Sequence, residues 1–252
     1  MKRFVTVVAA FCAVGILSAT EFNWKKLMDL YTARDFTAVE TTAAAMKSSA
    51  KTTMNKSAIV YYTVMAKQNL GKYASKEAAL ADVDALAKEL GIDVNYDRIR
   101  SLKLSVLDTR GDREYAIENS KDWTGPRSLY RKARILHDLK RYDESAEAFM
   151  NSGVRGSKVH AVTMARMAKM PEKIFEYGYR ALAEENINDP AIALNIVNVI
   201  LDSNFTGTTV TPAKVKDFLQ MVNRKYSRKL VVNAPTKWDN LIQLVRQTLE
   251  TY

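Results

Sequence analysis

Residues 126–152, PRSLYRKARILHDLKRYDESAEAFMNS, decide how this chain is read. Leu129, Ala133, Leu136 and Leu139 recur at helical spacing and so share one face. A short turn follows at Lys140, and Tyr142 and Phe149 then mark a second apolar series. The stretch predicts two short helices folded back on one another.

The same turn recurs on both sides. Gly111, Lys140 and Lys169 are separated by equal steps of 29 residues, and Arg34 and Gly71 continue the series at steps of 37 and 40. Further stripes follow the helical period: Trp24, Leu27, Met28 and Tyr31; Ala79, Val83, Leu86 and Leu90; Val215, Phe218, Leu219, Val222 and Tyr226. Between stripes lie Gly71, Gly91, Gly111, Gly153 and Gly156, where a left-handed backbone costs glycine least. Pro171, Pro190 and Pro212 sit at expected helix starts, with Asp189 and Thr211 as N-cap candidates. Segments 202–212 and 231–235 read as loops. Strand-type alternation is nearly absent, so the fold class is all-α.

The positions of Ala133, Leu136, Tyr142 and Phe149 match small or apolar positions of the tetratricopeptide pattern, with Ser145 where that pattern prefers alanine. Leu104, Leu107, Gly111 and Ala116 fit the preceding unit, and Val162 and Ala165 the following one. Over residues 98–182, and more loosely over 22–90, the chain therefore resembles a divergent tetratricopeptide-repeat (TPR-like) protein. That resemblance implies stacked antiparallel helix hairpins forming a right-handed solenoid over residues 20–185, with residues 186–252 as a C-terminal helical cap. A closed helical bundle is the alternative architecture. Stacking accounts better for helices that are apolar on more than one side, such as 190–202, where Asn195, Asn198 and Asp202 leave only a polar strip. That helix is expected to be central, beneath the pair at 212–226 and 236–250.

Composition sets outer bounds. With 252 residues, 47% of them hydrophobic and 26% charged, the chain has the balance of a well-packed globular protein rather than a disordered or collagen-like one. Its net charge of +10 favours acidic partners. Residues 1–19 place Lys2 and Arg3 ahead of an uncharged run from Phe4 to Leu17 and the small residues Ser18 and Ala19, the layout of a secretory signal peptide cleaved near Ala19. An uncleaved anchor is the rival reading. Cys12, the only cysteine, lies within this segment, so the mature chain is expected to hold no disulfide or zinc thiolate, and no later run is long enough to span a bilayer.

A search for chemistry yields little. His137 and His160 lack a second histidine one helical turn away, so no metal site and no cofactor is implied. Ser48–Lys51 spells SxxK without its companion motifs and reads as a polar turn. Glu144–Ser145 is similar to the catalytic pair of lytic transglycosylases, but is expected in mid-helix with Ser145 in a packing position. No phosphate-binding glycine loop occurs, and neither Asp82 with Asp84 nor Glu184 with Glu185 forms a glycosidase-type pair. The chain is read as a binding protein and not as an enzyme.

In the hairpin frame, Arg98, Ser105, Arg127, Tyr130, Arg134, His137 and Arg166 fall on the first helices of successive pairs and are expected to line a basic concave groove. Arginine forks there would suit acidic peptides or other carboxylate-bearing partners; the plainer reading is a set of solvated helix faces. The asparagines of the tetratricopeptide carboxylate clamp are replaced by Ser105 and Arg134. The expectation is thus an exported scaffold or adaptor for proteins or peptides, with no nucleic-acid role and no transmembrane span after cleavage. The alternative is a cell-envelope domain that binds glycan or cell-wall polymer, similar in shape to lytic transglycosylases, where Trp24 and Trp123 could contribute. Asn55 and Asn204 begin glycosylation sequons.

Overall fold

The computed structural model describes residues 21–227 and 236–251. The expected signal peptide and the expected loop at 231–235 lie outside them. Every regular element among the described residues is helical. The first group is α1 (Trp24–Thr32), α2 (Phe36–Met46), α3 (Thr53–Asn69), α4 (Lys76–Glu89) and α5 (Asp97–Arg110). Then come α6 (Arg113–Glu118), α7 (Pro126–Asp138), α8 (Tyr142–Asn151), α9 (Ser157–Met167) and α10 (Pro171–Glu184). The last are α11 (Pro190–Leu201), α12 (Pro212–Ser227) and α13 (Thr236–Leu249). No helix among the described residues is long and apolar enough to cross a membrane.

Local chemistry sets the boundaries. Asn23, Asp35, Thr52, Ser75 and Asp189 accept hydrogen bonds from backbone N–H groups of the first turns they precede. Thr211 does the same for Lys214 at the start of α12. Pro126, Pro171, Pro190 and Pro212 are each the first residue of their helix.

All five turns used to align the sequence, Arg34, Gly71, Gly111, Lys140 and Lys169, adopt positive φ, between 56° and 84°. Each ends a helix with the same paired bonds. In the turn after α7, for example, the Lys140 N–H donates to the His137 carbonyl at 2.9 Å and the Arg141 N–H to the Leu136 carbonyl at 2.9 Å. Three of the five left-handed positions carry long cationic side chains, which suit the negative end of a helix but strain against their own Cβ. Lys140→Gly is therefore expected to raise stability by about 0.5–1 kcal/mol, visible as a higher urea midpoint at constant slope.

Two helix N-termini are capped from a distance. The Asp97 carboxylate, at the start of α5, accepts from the Arg127 N–H at 2.8 Å, the Ser128 N–H at 3.0 Å and the Ser128 hydroxyl at 2.6 Å, and so closes the start of α7. Glu185, just beyond α10, accepts from the Gly156 N–H at 3.0 Å and the Lys158 N–H at 3.2 Å at the start of α9. A distant cation serves one C-terminus: the Lys225 ammonium of α12 donates to the carbonyls of Leu182, Ala183 and Glu185 at 2.6–2.9 Å.

The principal helix contacts run between elements one or two places apart in the chain, such as α7 with α8, α8 with α9, α3 with α5 and α5 with α7. Buried apolar side chains form a cluster around α1–α3, a second around α3–α5 and a large third cluster from Leu104 to Val245. Ser145 is fully buried and its hydroxyl donates to the Ala133 carbonyl at 2.8 Å, tying α8 to α7. Glu144 lies in the first turn of α8 rather than in mid-helix, and pairs with Arg141 at 2.6 Å. The C-terminal pair also divides differently from expectation. α13 covers α11, whereas α12 packs on α10 and α13, and Ile192 is left 38% exposed. α10 itself approaches α11 closely at Gly178, where a Cβ would come within 2.6 Å of the Ile200 side chain.

Candidate functional site

A cleft of about 370 Å3 opens where α3, α5 and α7 meet the start of α1. Each helix contributes by its period. α3 presents Ala58, Tyr61 and Tyr62; α5 presents Arg98, Leu102 and Ser105; α7 presents Arg127 and Arg131, one turn apart; Phe22, Trp24 and Met54 complete the apolar side. The volume lies within the range typical of small-ligand and peptide side-chain pockets.

The apolar wall is held in place from behind. Tyr61 and Tyr62 meet edge-on at 5.3 Å, and Tyr31 packs against Tyr62 at 5.8 Å and Phe36 at 5.5 Å, also edge-on. Burial, followed by the neighbouring Tyr31 hydroxyl, pushes the Tyr61 phenol above its ordinary pKa against the opposing pull of Arg131, so it remains a neutral hydrogen-bonding group. Trp24 and Met54 are 57% and 58% exposed, leaving apolar surface for a visitor at the cleft mouth.

The basic wall is uncommitted. Among the described residues, no carboxylate oxygen lies within 4.0 Å of the Arg98, Arg127 or Arg131 guanidinium. Arg113, Arg141 and Arg180, by contrast, pair with Asp108, Glu144 and Glu184 at 2.6–2.9 Å. The nearby Asp97 carboxylate is engaged by the backbone and hydroxyl donors at the start of α7. Three fixed positive charges beside an aromatic surface can bind anions through forked hydrogen bonds and hold an adjoining apolar group by burial.

The other groove candidates lie elsewhere. Tyr130 is half-buried, edge-on to Phe149 at 5.4 Å and to His160 at 6.3 Å. His137 bonds its neighbour Asp138 at 3.0 Å and sits beside Tyr142, while Arg134 is exposed. Arg166 borders a shallow depression of about 150 Å3 between α9 and α11. The seven residues anticipated in one groove are thus divided, with Arg98, Ser105 and Arg127 brought together. Arg131, Tyr61 and Tyr62 were missed. The four-residue step from Arg127 to Arg131 was readable, but the tyrosines lie before residue 98, outside the segment whose repeat frame guided the choice.

Partial burial lowers the pKa of His160 below the ordinary imidazole value, and the positive charge of Arg134 lowers it further, with Glu185 opposing. The unfolded chain therefore binds this proton more readily, and the contribution of His160 to stability falls as pH drops from the unfolded value near 6.5 through the depressed folded one. Arg134→Gln is expected to move the His160 midpoint upward in an NMR titration; an unchanged midpoint would remove Arg134 as a cause.

A larger opening, about 820 Å3 between α10 and residues 207–210, is less suited to recognition. Its charges have mixed sign, and two are engaged by the loop backbone: Glu172 accepts from the Thr209 N–H at 2.7 Å and the Lys214 ammonium donates to the Thr209 carbonyl at 2.9 Å. The described residues contain no cluster of three potential metal ligands. The SxxK stretch forms a 3-10 turn at Lys47–Ser49, with the Lys51 ammonium on the Ser48 carbonyl at 3.1 Å. Comparison of the chain with protein-family models, curated proteins and solved structures finds no match in any of the three.

Proposed function

We propose that this protein is an exported scaffold or adaptor that binds acidic proteins or peptides, built as a TPR-like right-handed solenoid with a C-terminal helical cap. Export rests on the basic start and apolar run of residues 1–19. The solenoid reading is supported by helix contacts restricted mainly to near neighbours in the chain and by the recurring left-handed turns. The observation that carries the functional reading is the set of guanidiniums of Arg98, Arg127 and Arg131, without a carboxylate partner among the described residues, beside an aromatic wall. Such a surface suits carboxylates.

The test is affinity capture from the native cell envelope with the wild-type chain and with an Arg98→Gln, Arg127→Gln, Arg131→Gln triple variant. Acidic proteins retained by the former and lost from the latter are expected. Incubation with peptidoglycan separates the alternative: released sugar products would indicate a transglycosylase-like enzyme, and sedimentation with the polymer without turnover a glycan-binding domain.

A further inference from the structure

We propose that the α3–α5–α7 cleft recognises an internal acidic peptide segment in which at least two side-chain carboxylates flank one large apolar residue. The inference rests on the protein-binding reading above and names the ligand of that site.

Charge comes first. One carboxylate is satisfied by one forked guanidinium, yet the cleft holds three with no acidic partner among the described residues. Arg127 and Arg131 stand one helical turn apart on α7, and Arg98 belongs to a different helix. The cations therefore come from two helices and two successive turns of one of them, and a run of acidic side chains offers them more partners than a single terminal carboxylate.

Apolar surface comes second. Phe22, Trp24, Met54, Tyr61 and Tyr62 face the same space as the arginines. Exposed Trp24 and Met54 gain from burial only if the ligand brings apolar area, which a purely polyanionic chain would not. The aromatic packing of Tyr31, Tyr61 and Tyr62 keeps this wall preformed, so little ordering cost falls on binding.

The experiment uses fluorescence anisotropy with the full chain and a labelled peptide, acetylated and amidated so that its only anions are glutamates on both sides of a phenylalanine. Saturable binding is expected, weakening with added salt. Arg98→Gln and Arg131→Gln should each reduce affinity about tenfold, since a charge-assisted bond is lost. Trp24→Ala should reduce it about threefold through lost apolar contact. Arg166→Gln, in the depression between α9 and α11, should leave it unchanged. Circular dichroism melts confirm that each variant is folded.

Absence of binding, equal binding of the glutamine-for-glutamate peptide, or indifference to Arg98→Gln and Arg131→Gln would each overturn the inference. So would a sulfated glycan or an anionic vesicle that requires both arginines where the peptide does not bind. If the peptide fails while envelope capture still depends on the three arginines, this ligand assignment falls and the scaffold reading stands. If capture persists in the triple variant, the cleft is not the binding site.

Discussion

Gly125→Ala is expected to destabilise the protein by about 2–3 kcal/mol, because it evicts the side chain that caps α7 and leaves buried donors unpaired. A Cβ at this position would collide with the Asp97 carboxylate, at its Oδ1 and Cγ. Gly125 itself has φ −63°, an ordinary value for any residue, so the cost is steric and arises from a neighbour rather than from the backbone. Displaced, the Asp97 carboxylate loses its three bonds to Arg127 and Ser128; the Ser128 hydroxyl keeps only the Asp97 carbonyl at 3.4 Å, and the N–H of this fully buried residue must find another partner. The mechanism makes a specific demand on a double-mutant cycle. In an Asp97→Gly background, which also removes the Asp97 Cβ that would stand 2.9 Å away, the same glycine substitution should cost less than about 0.5 kcal/mol, the usual limit for sites that no longer interact. Equal penalties in both backgrounds, measured by urea unfolding, would assign the effect to some other contact.

Lys225→Met should cost a similar amount, about 2–3 kcal/mol, although it changes one side chain on a helix surface and keeps most of its apolar stem. The ammonium is the shared donor for three carbonyls at the end of α10, at 2.6 Å to Leu182, 2.9 Å to Ala183 and 2.9 Å to Glu185. Its position also opposes the negative end of that helix. Neighbouring Tyr226 donates to the same Leu182 carbonyl at 3.3 Å and stacks on Trp238 at 5.1 Å, so α10, α12 and α13 meet here. For a chain of this size the loss corresponds to a melting temperature lower by about 5–10 °C. Tyr226 offers a companion observation: burial pushes its phenol up to about 12, and it should resist ionisation in a spectrophotometric titration until well above pH 10. A melting temperature unchanged by Lys225→Met would mean that water or another side chain serves those carbonyls equally well.

Both substitutions concern groups that reach across sequence, Asp97 to Ser128 and Lys225 to Leu182, and neither pair is visible in a linear reading. The turns were visible. Lys140 and Lys169 were placed by repeat spacing alone, with no glycine to mark them, and both adopt the left-handed conformation of Gly71 and Gly111. Prolines at 171, 190 and 212 marked helix starts for the same local reason: ring geometry and the missing N–H act within one turn. The site was less legible. Arg98 and Arg127 were named because they occupy equivalent places in neighbouring hairpins, and they share the cleft. Tyr130 and Arg166 met the same criterion and do not share it, since Tyr130 turns to Phe149 and Arg166 to the α9–α11 surface.

By itself the sequence determined what depends on near neighbours: helical class, the positions of starts and stops, and the handedness of the turns between them, all governed by hydrogen bonds and sterics spanning about one helical turn. Tertiary structure alone decided which charges remain free. Whether Arg98 or Arg131 meets a carboxylate depends on how α3, α5 and α7 pack, and a guanidinium's freedom is a property of the space around it rather than of its place in the chain.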